Sequence, residues 1–390
     1  LREELLRHPV CAIDTETNGL DPVRCLPFYW SLAFGDSLDP VHSSDPHTGE
    51  PLYHPETGLP VLKWGCRRLA MPATTLHHFM DIFADPTRCW VLANAKFDMH
   101  MLANVGIELA GAVADIQVMH GLLHEEEAHD LKYLNQRLYG WTWQGFTETF
   151  GKVKKRPKAG EPNAGDLLRA KELADLWALV EYASNDTFGT LKIFGDLLVE
   201  LEKATTYSLW PEDFANLSDY FWKFQVPYTK VLWSNERARA QIDGKYVDSL
   251  RKPLQDEIDR LDRTIWRLVG RPINPGSSKE LCAYFYDELK LPKRHWTSGG
   301  KTGVRVPATT DEALKEMDNE VADLVLERRD VSKTLTTYVK GLDKFLDDRG
   351  RVGYRINQSR VVTGRLSSAE INIQNIKKAG ERDIFHVRRA

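Results

Sequence analysis

Short apolar runs at residues 10–13, 28–34 and 90–93 are separated by stretches in which apolar side chains recur every three or four positions. Such runs predict buried strands, and the three-and-four spacing predicts amphipathic helices. The helical spacing occurs at Leu76, Phe79, Met80 and Phe83 after Pro72, and at Leu131, Leu134 and Leu138. It returns at Leu173, Leu176, Trp177 and Val180, and at Phe188, Leu191, Phe194, Leu198 and Leu201. This alternation predicts an α/β domain around a central sheet. Two stretches interrupt it. Residues 37–63, rich in Pro, Gly and His, read as a surface insertion. Residues 151–165 set Lys152, Lys154, Lys155, Arg156 and Lys158 among Gly and Pro, and read as a loop near substrate.

Beyond about residue 204 the pattern turns helical. Leu254, Ile258, Leu261, Ile265 and Leu268 make one long stretch, which Pro253 either begins or kinks. Val321, Leu324, Val331, Leu335, Tyr338 and Leu342 make another. Between them, Ser277-Ser278-Lys279-Glu280 has the capping-box pattern of a shorter helix. The Gly-rich residues 298–303 form the tip of what reads as a helical arm. From Gly350 onward, a strand over 354–362 leads into Thr363-Gly364-Arg365-Leu366-Ser367-Ser368.

Composition narrows the class. Of 390 residues, 42% are hydrophobic and 28% charged, enough to bury cores and too much patterning for a disordered tail. No run of eighteen apolar residues predicts a membrane-spanning helix. The first residues, Leu1-Arg2-Glu3-Glu4, read as the start of an internal fragment without a signal peptide. Five cysteines with no CxxC pair argue for a reducing compartment and against a zinc ribbon. The net charge is −4, but residues 351–390 carry nine Lys/Arg against three Asp/Glu, a surplus of six that leaves the rest at −10. A basic segment on an acidic body suits a polyanion-binding surface beside a cation-holding region.

Chemistry enters at Asp14-Thr15-Glu16-Thr17, directly after the first apolar run. Side chains alternate along a strand, so Asp14 and Glu16 project to one face, and two adjacent carboxylates are costly unless a cation joins them. Asn94-Ala95-Lys96-Phe97-Asp98 follows the run at 90–93, which places Asp98 in the first turn of a helix. If that run is a parallel neighbour of the first strand, Asp98 lies beside its tip, where open α/β sheets gather ligands. By itself Asp98 also fits an acid complementing a helix N-terminus. In Tyr182-Ala183-Ser184-Asn185-Asp186, the i, i+4 spacing puts Tyr182 and Asp186 on one helix face. Four such acids supply oxygen ligands for two hard cations, the arrangement used for in-line phosphoryl displacement, with Tyr182 positioned to hydrogen-bond the attacking water.

Asp14-x-Glu16, Asn94-x-x-x-Asp98 and Tyr182-x-x-x-Asp186 resemble, in order, the three exonuclease motifs of the proofreading domain of family A (bacterial polymerase-I-like) DNA polymerases. These belong to the tyrosine subclass of the DEDD superfamily; Glu181 stands where the histidine subclass has its His. The resemblance implies a ribonuclease-H-like α/β fold with a mixed central sheet, then a mainly α-helical thumb and the first part of the palm. It implies an exonuclease domain over 1–203, a thumb over 204–348 and a truncated palm over 349–390. Asn274-Pro275-Gly276-Ser277-Ser278-Lys279-Glu280-Leu281, Pro307-Ala308-Thr309-Thr310 and Lys333-Thr334-Leu335-Thr336-Thr337-Tyr338 resemble the thumb. Thr363 to Ser368 with Asn372-Ile373-Gln374-Asn375-Ile376 resemble the opening of the palm, with Lys377 where the family usually has Pro.

The resemblance further implies 3′–5′ excision of DNA with two Mg²⁺ or Mn²⁺ ions on Asp14, Glu16, Asp98 and Asp186, these acids and Tyr182 being catalytic. The palm carboxylates for nucleotide addition would lie beyond Ala390. DNA contacts fall on Asn94, Arg365, Gln374 and Asn375, with Ser277, Ser278 and Lys279 meeting phosphate at a helix start; the last three serve equally well as a plain cap. Implied partners are a single-stranded 3′ end and primer–template duplex, with no membrane, and a replication accessory protein in addition. A cytoplasmic monomer at a bacterial nucleoid or in a phage-infected cell is implied, an organelle being the other setting. The competing reading is a catalytically silent exonuclease fold kept only to bind DNA. Two near-motifs are dismissed. Gly300-Lys301-Thr302 lacks the first Gly of a P-loop, His295 standing in its place, and the histidines of His124-Glu125-Glu126-Glu127-Ala128-His129 are five apart and cannot share a helix face.

Overall fold

The computed structural model describes residues 1–42, 62–153, 161–204, 213–297, 303, 305–361, 363–369 and 371–375. The chain divides into two compact units: Leu1–Ala238 with Ile356–Ser367, and Arg239–Arg355 with the residues from Ser368 onward. No helix among the described residues is long and apolar enough to cross a membrane.

The first unit is built on a five-stranded mixed sheet. After a short helix α1 (Arg2–Arg7) come β1 (Val10–Thr17), β2 (Pro27–His42), β3 (Leu62–Pro72), β4 (Cys89–Leu92) and β5 (Ala112–Asp115), in spatial order β3-β2-β1-β4-β5. The β1–β2 and β2–β3 pairs are antiparallel; β1–β4 and β4–β5 are parallel. Strand alternation sorts the core. Cys11, Ile13, Trp30, Leu32, Phe34, Trp90 and Leu92 pack on one face, while Ala12, Ala33, Val91 and Ala114 face the other. The alanine-rich face receives the 28-residue helix α8 (below) through Leu191, Phe194, Leu197 and Leu201. Small residues there let a long helix lie close to the strands, which fixes where its functional face can reach.

The helices of this unit follow in order. They are α2 (Met80–Phe83), α3 (Ala95–Asn104), α4 (Ile116–Leu123), α5 (Leu131–Tyr139), α6 (Phe146–Phe150), α7 (Ala164–Ala174), α8 (Leu176–Lys203), α9 (Leu217–Tyr220) and α10 (Val226–Ala238). Several expectations are corrected. The segment after Pro72 is a 3₁₀ helix, Ala73–Phe79, that becomes α-helical only at α2. The edges of the proposed insertion are paired strand, with Pro40 opposite Trp64 and His42 opposite Leu62; residues 43–61 lie outside the described residues. Strands β3 and β5 were not foreseen. The Leu173-to-Val180 periodicity is broken by Asp175, which caps α8 by accepting from Ala178 N at 3.1 Å. Leu173 and Trp177 are consequently 84% and 81% exposed, and Leu179 is the residue that packs inward.

The second unit carries α11 (Gly244–Val269), α12 (Ser278–Cys282), α13 (Asp311–Lys315) and α14 (Glu320–Lys333), with the two-stranded pair β6 (Ala240–Gln241) and β7 (Arg351–Val352). Pro253 does not begin α11 but lies inside it; the helix begins nine residues earlier, capped by Asp243, whose side chain accepts from Tyr246 N at 3.1 Å. Arg328 of α14 forks onto Asp262 of α11 at 2.8 and 3.3 Å. Residues 298–302, the expected tip, lie outside the described residues. Of the strand expected over 354–362, the described residues 354–361 form strand only at Arg355–Asn357, and Val362 lies outside the described residues.

Candidate active site

Every expected motif acid lies in the first unit, and its elements explain why they meet. β1 is buried at Cys11, Ala12 and Ile13 and then reaches Asp14, whose neighbour two residues on, Glu16, shares its face. α8 crosses the alanine-lined side of the sheet and delivers Asp186. One oxygen each of Asp14, Glu16 and Asp186 lies within 4.8 Å of the others. Glu16 is buried; Asp14 and Asp186 are half-buried.

Asp98 arrives from the parallel neighbour, as expected: β4 ends, Asn94 turns, and α3 begins. Its Oδ1 accepts from Thr15 N at 2.9 Å and from Thr15 Oγ1 at 2.6 Å. Asp98 thus brackets the tip of β1 between the two acids there, rather than joining the three converging oxygens. The turn itself is forced. Asn94 sits at φ 64°, ψ 52°, a left-handed conformation that asparagine tolerates better than most residues. It is held there by Asp115, whose carboxylate accepts from Asn94 N at 3.1 Å, Ala95 N at 2.8 Å and Gln117 N at 2.9 Å. Asp115 was missed in the sequence. The signal was an acid between the run Ala112-Val113-Ala114 and a helix start, an N-cap pattern.

Charge is crowded here. Burial, with Thr15's N–H opposing it, pushes Asp14 up to about 6. Burial and then the Asp14 charge push Asp186 up to about 8, with Lys132 pulling the other way. Glu16 is raised well above the carboxylate range by burial and by Asp14, Asp186 and Asp98; Asp98 is raised by burial and by Asp14. An all-oxygen donor set under mutual repulsion fits a hard divalent cation, which would relieve that repulsion and draw the protons off. The 3′-5′ exonuclease donor chemistry expected from the sequence is therefore compatible with the residues present.

Tyr182 lies one turn before Asp186 on α8. Its ring meets Phe150 edge-on, centroids 4.9 Å apart and planes at 87°. Burial, and then Glu16, Asp186 and Asp14, raise its hydroxyl pKa, so the group stays protonated and can donate. Thr142, Trp143, Gln144, Thr149, Tyr182 and Asp186 line a cavity of about 330 Å³.

Residues 1–202 match the family model for 3'-5' exonuclease, and residues 244–390 match that for DNA polymerase family A. The chain belongs to DNA polymerase family A and carries its 3'-5' exonuclease domain. It is 29% identical over 386 residues to DNA polymerase I of Synechocystis, an overlap of 96% of this chain and 34% of that protein. It is 28% identical over 372 residues to DNA polymerase I of Pseudomonas aeruginosa, covering 94% and 36%. The chain thus spans about a third of the length of these relatives. Among solved structures it resembles the POL domain of Pol1 from M. smegmatis, a complex with DNA primer-template and dNTP. The TM-score is 0.67 at 21% identity, over 98% of this chain and 56% of that one, a likeness of fold.

The polymerase-family residues are placed less tightly. Ser277 caps α12 through Glu280 N, and Ser278 and Lys279 are exposed. Glu280 does not close the box on Ser277; its carboxylate accepts from Asn274 N at 2.9 Å, because the preceding turn already holds Ser277 N on Asn274 O. Arg365 is exposed in the first unit's 356–367 segment. Gln374 is exposed in the second unit, its Oε1 accepting from Ser368 Oγ at 3.0 Å. Asn375 belongs to a short 3₁₀ turn, while Ile376 and Lys377 lie outside the described residues. The dismissed zincin pattern stays dismissed: His129 Nδ1 faces His120 Nδ1 at 2.8 Å, whereas His124 Nε2 turns to Glu200 at 3.7 Å.

Proposed function

We propose that the chain excises 3′-terminal nucleotides from DNA, with Asp14, Glu16, Asp98 and Asp186 holding two divalent cations, Mg²⁺ or Mn²⁺. The convergence of Asp14, Glu16 and Asp186 oxygens within 4.8 Å, where the sheet's central strand meets α8, is the observation that carries this reading. Bound there, the cations would neutralise charge on the attacking water and on the departing oxygen. The chain's own groups do the rest. Tyr182, protonated and propped on Phe150, orients the attacking water. Thr15 and Asp98 keep the tip of β1 rigid, so that Asp14 and Glu16 hold their spacing. The water oxygen bonds to phosphorus as the water gives up a proton to solvent, the P–O3′ bond breaks, and the 3′ oxygen takes up a proton from solvent as a nucleoside 5′-monophosphate leaves.

On this reading residues 1–203 form the exonuclease domain, 204–348 a thumb and 349–390 the start of a palm. A single-stranded 3′ end is the substrate of the first. Arg365, Gln374, Asn375, Ser277, Ser278 and Lys279 contact primer–template duplex in a cytoplasmic monomer. The test is digestion of 3′-labelled single-stranded DNA. Shortening to mononucleotides should require divalent metal, and Asp14→Ala should stop it while DNA still binds. Continued shortening by Asp14→Ala protein would remove Asp14 from the mechanism; a metal-replete wild type that binds without shortening would leave a silent scaffold.

A further inference from the structure

We infer that Lys132 contacts a non-bridging oxygen of the phosphate being cleaved, which deepens the exonuclease reading and rests on it. Lys132 stands in the first turn of α5, just after its cap Asp130. A cation there opposes the positive end of the helix, so helix stability does not explain it. What explains its position is the packing of α5 on α8. A Cβ at Gly189 would lie 2.6 and 2.7 Å from the Asn135 amide and 2.8 Å from the Trp143 ring. Glycine at 189 therefore lets the two helices touch. One turn back along each from that contact stand Lys132 and Asp186.

The ammonium is also seated. A Cβ at Gly145 would fall 1.6 Å from Lys132 Nζ and 2.9 Å from its Cε, so the lysine end occupies the space that a side chain at 145 would need. Gly145 has an ordinary φ of −86°, and the requirement for glycine is space alone. Its neighbour Gln144 lines the same cavity as Tyr182 and Asp186. Lys132 forms no ion pair among the described residues. Glu148, the acid beside Gly145, instead accepts from the Gly145 N–H. Lys171, Lys192 and Lys223, by contrast, each hold a carboxylate four residues away on their own or the adjoining turn.

An ammonium seated against Gly145, next to the cavity-lining Gln144, suits the phosphate of a strand end bound in that cavity. Negative charge builds on the non-bridging oxygens as water adds to phosphorus, and a fixed positive charge stabilises that stage most. The proton and bond changes are those already given.

The experiment compares the wild-type chain with Lys132→Met, Lys132→Arg and Gly145→Ala on 3′-labelled single-stranded DNA, titrating Mn²⁺ in each case. Lys132→Met should lower kcat about 100-fold. Its half-saturating Mn²⁺ concentration should stay equal or fall, because a repelling charge beside Asp186 is gone. Lys132→Arg should recover part of the rate, and Gly145→Ala, which sets a methyl where the ammonium sits, should lose rate in the same direction. A Lys132→Met rate within twofold of wild type overturns the inference and leaves the exonuclease reading intact. A rate loss that extra Mn²⁺ restores in full overturns it too, since Lys132 would then act only through the acids. A wild-type chain that cleaves nothing with either metal overturns both.

Discussion

Two buried charge clusters lie on the first unit, and α3 feeds them both. Asp98 points to the tip of β1; Lys96, two residues earlier, points away to Glu236 on α10. There the chain closes its own circuit. Glu236, 5% exposed, receives Lys96 Nζ, His100 Nε2 at 3.0 Å and Ile356 N at 2.7 Å. Burial alone would push Glu236 up, but the bonds from His100 and Lys96 outweigh it and hold it below the usual range. The acids around Asp14 show the reverse: burial, joined by like charge at Glu16, Asp98 and Asp186, raises every pKa, and among the described residues none of them holds an ion pair. Opposite compensation of their charges separates a structural knot from a site. The first is complete without a ligand, and the second is stabilised by one.

Removing a charge from each cluster should therefore have opposite effects on stability. Asp186→Asn should cut excision by on the order of 1,000-fold, the scale of a lost metal-centred interaction. It should leave the melting temperature equal or higher, since one member of a repelling set is gone. A melting temperature lowered by many degrees would mean that the acids hold the fold. Glu236→Ala should do the contrary, costing about 3–5 kcal/mol in urea unfolding because Lys96 and His100 lose their partner in a dry site. If that variant unfolds at the wild-type midpoint, the knot is not structural and the contrast fails.

How much of this was readable in the chain follows the same division. Asp14 and Glu16 were legible because a strand's alternation is local: an apolar run and two acids two apart need no tertiary knowledge. Tyr182 and Asp186 were legible through the helical repeat. Asp98's grip on Thr15 depends on which strand lies beside β1, and that neighbour is 83 residues away in the bond itself. Nothing local encodes the Lys96–Glu236 knot either, with 140 residues between its members. β3 escaped notice because it is the sheet's edge and carries Arg67 and Arg68 among its apolar positions, blurring the pattern. β5 is four residues with two alanines, too short to signal. At Leu173 and Trp177 the periodicity itself misled: an apolar repeat continues across a helix boundary that Asp175 caps, and both side chains end in solvent.

Divalent cation should sharpen the contrast without mutation of the knot. At a concentration of 100 times its dissociation constant, Mg²⁺ or Mn²⁺ should add about 2.7 kcal/mol of stability. The gain should vanish in Asp14→Ala and persist in Glu236→Ala, read as the shift in urea midpoint between chelator and metal.

The smallest expected effect separates the roles within the open cluster. Tyr182→Phe keeps the ring against Phe150 and leaves all four acids in place, so the cation-dependent gain in stability should match wild type. What it removes is a hydroxyl that burial and the neighbouring acids hold protonated. Losing one oriented hydrogen bond to the attacking water should slow excision about 10-fold, near 1.4 kcal/mol of barrier. Single-turnover digestion at saturating metal measures this directly. A rate equal to wild type would make Tyr182 a spacer propping the cavity wall. A loss that tracks weakened metal stabilisation would instead show that the hydroxyl serves the acids, and that the cluster, like the knot around Glu236, depends on a partner of its own chain.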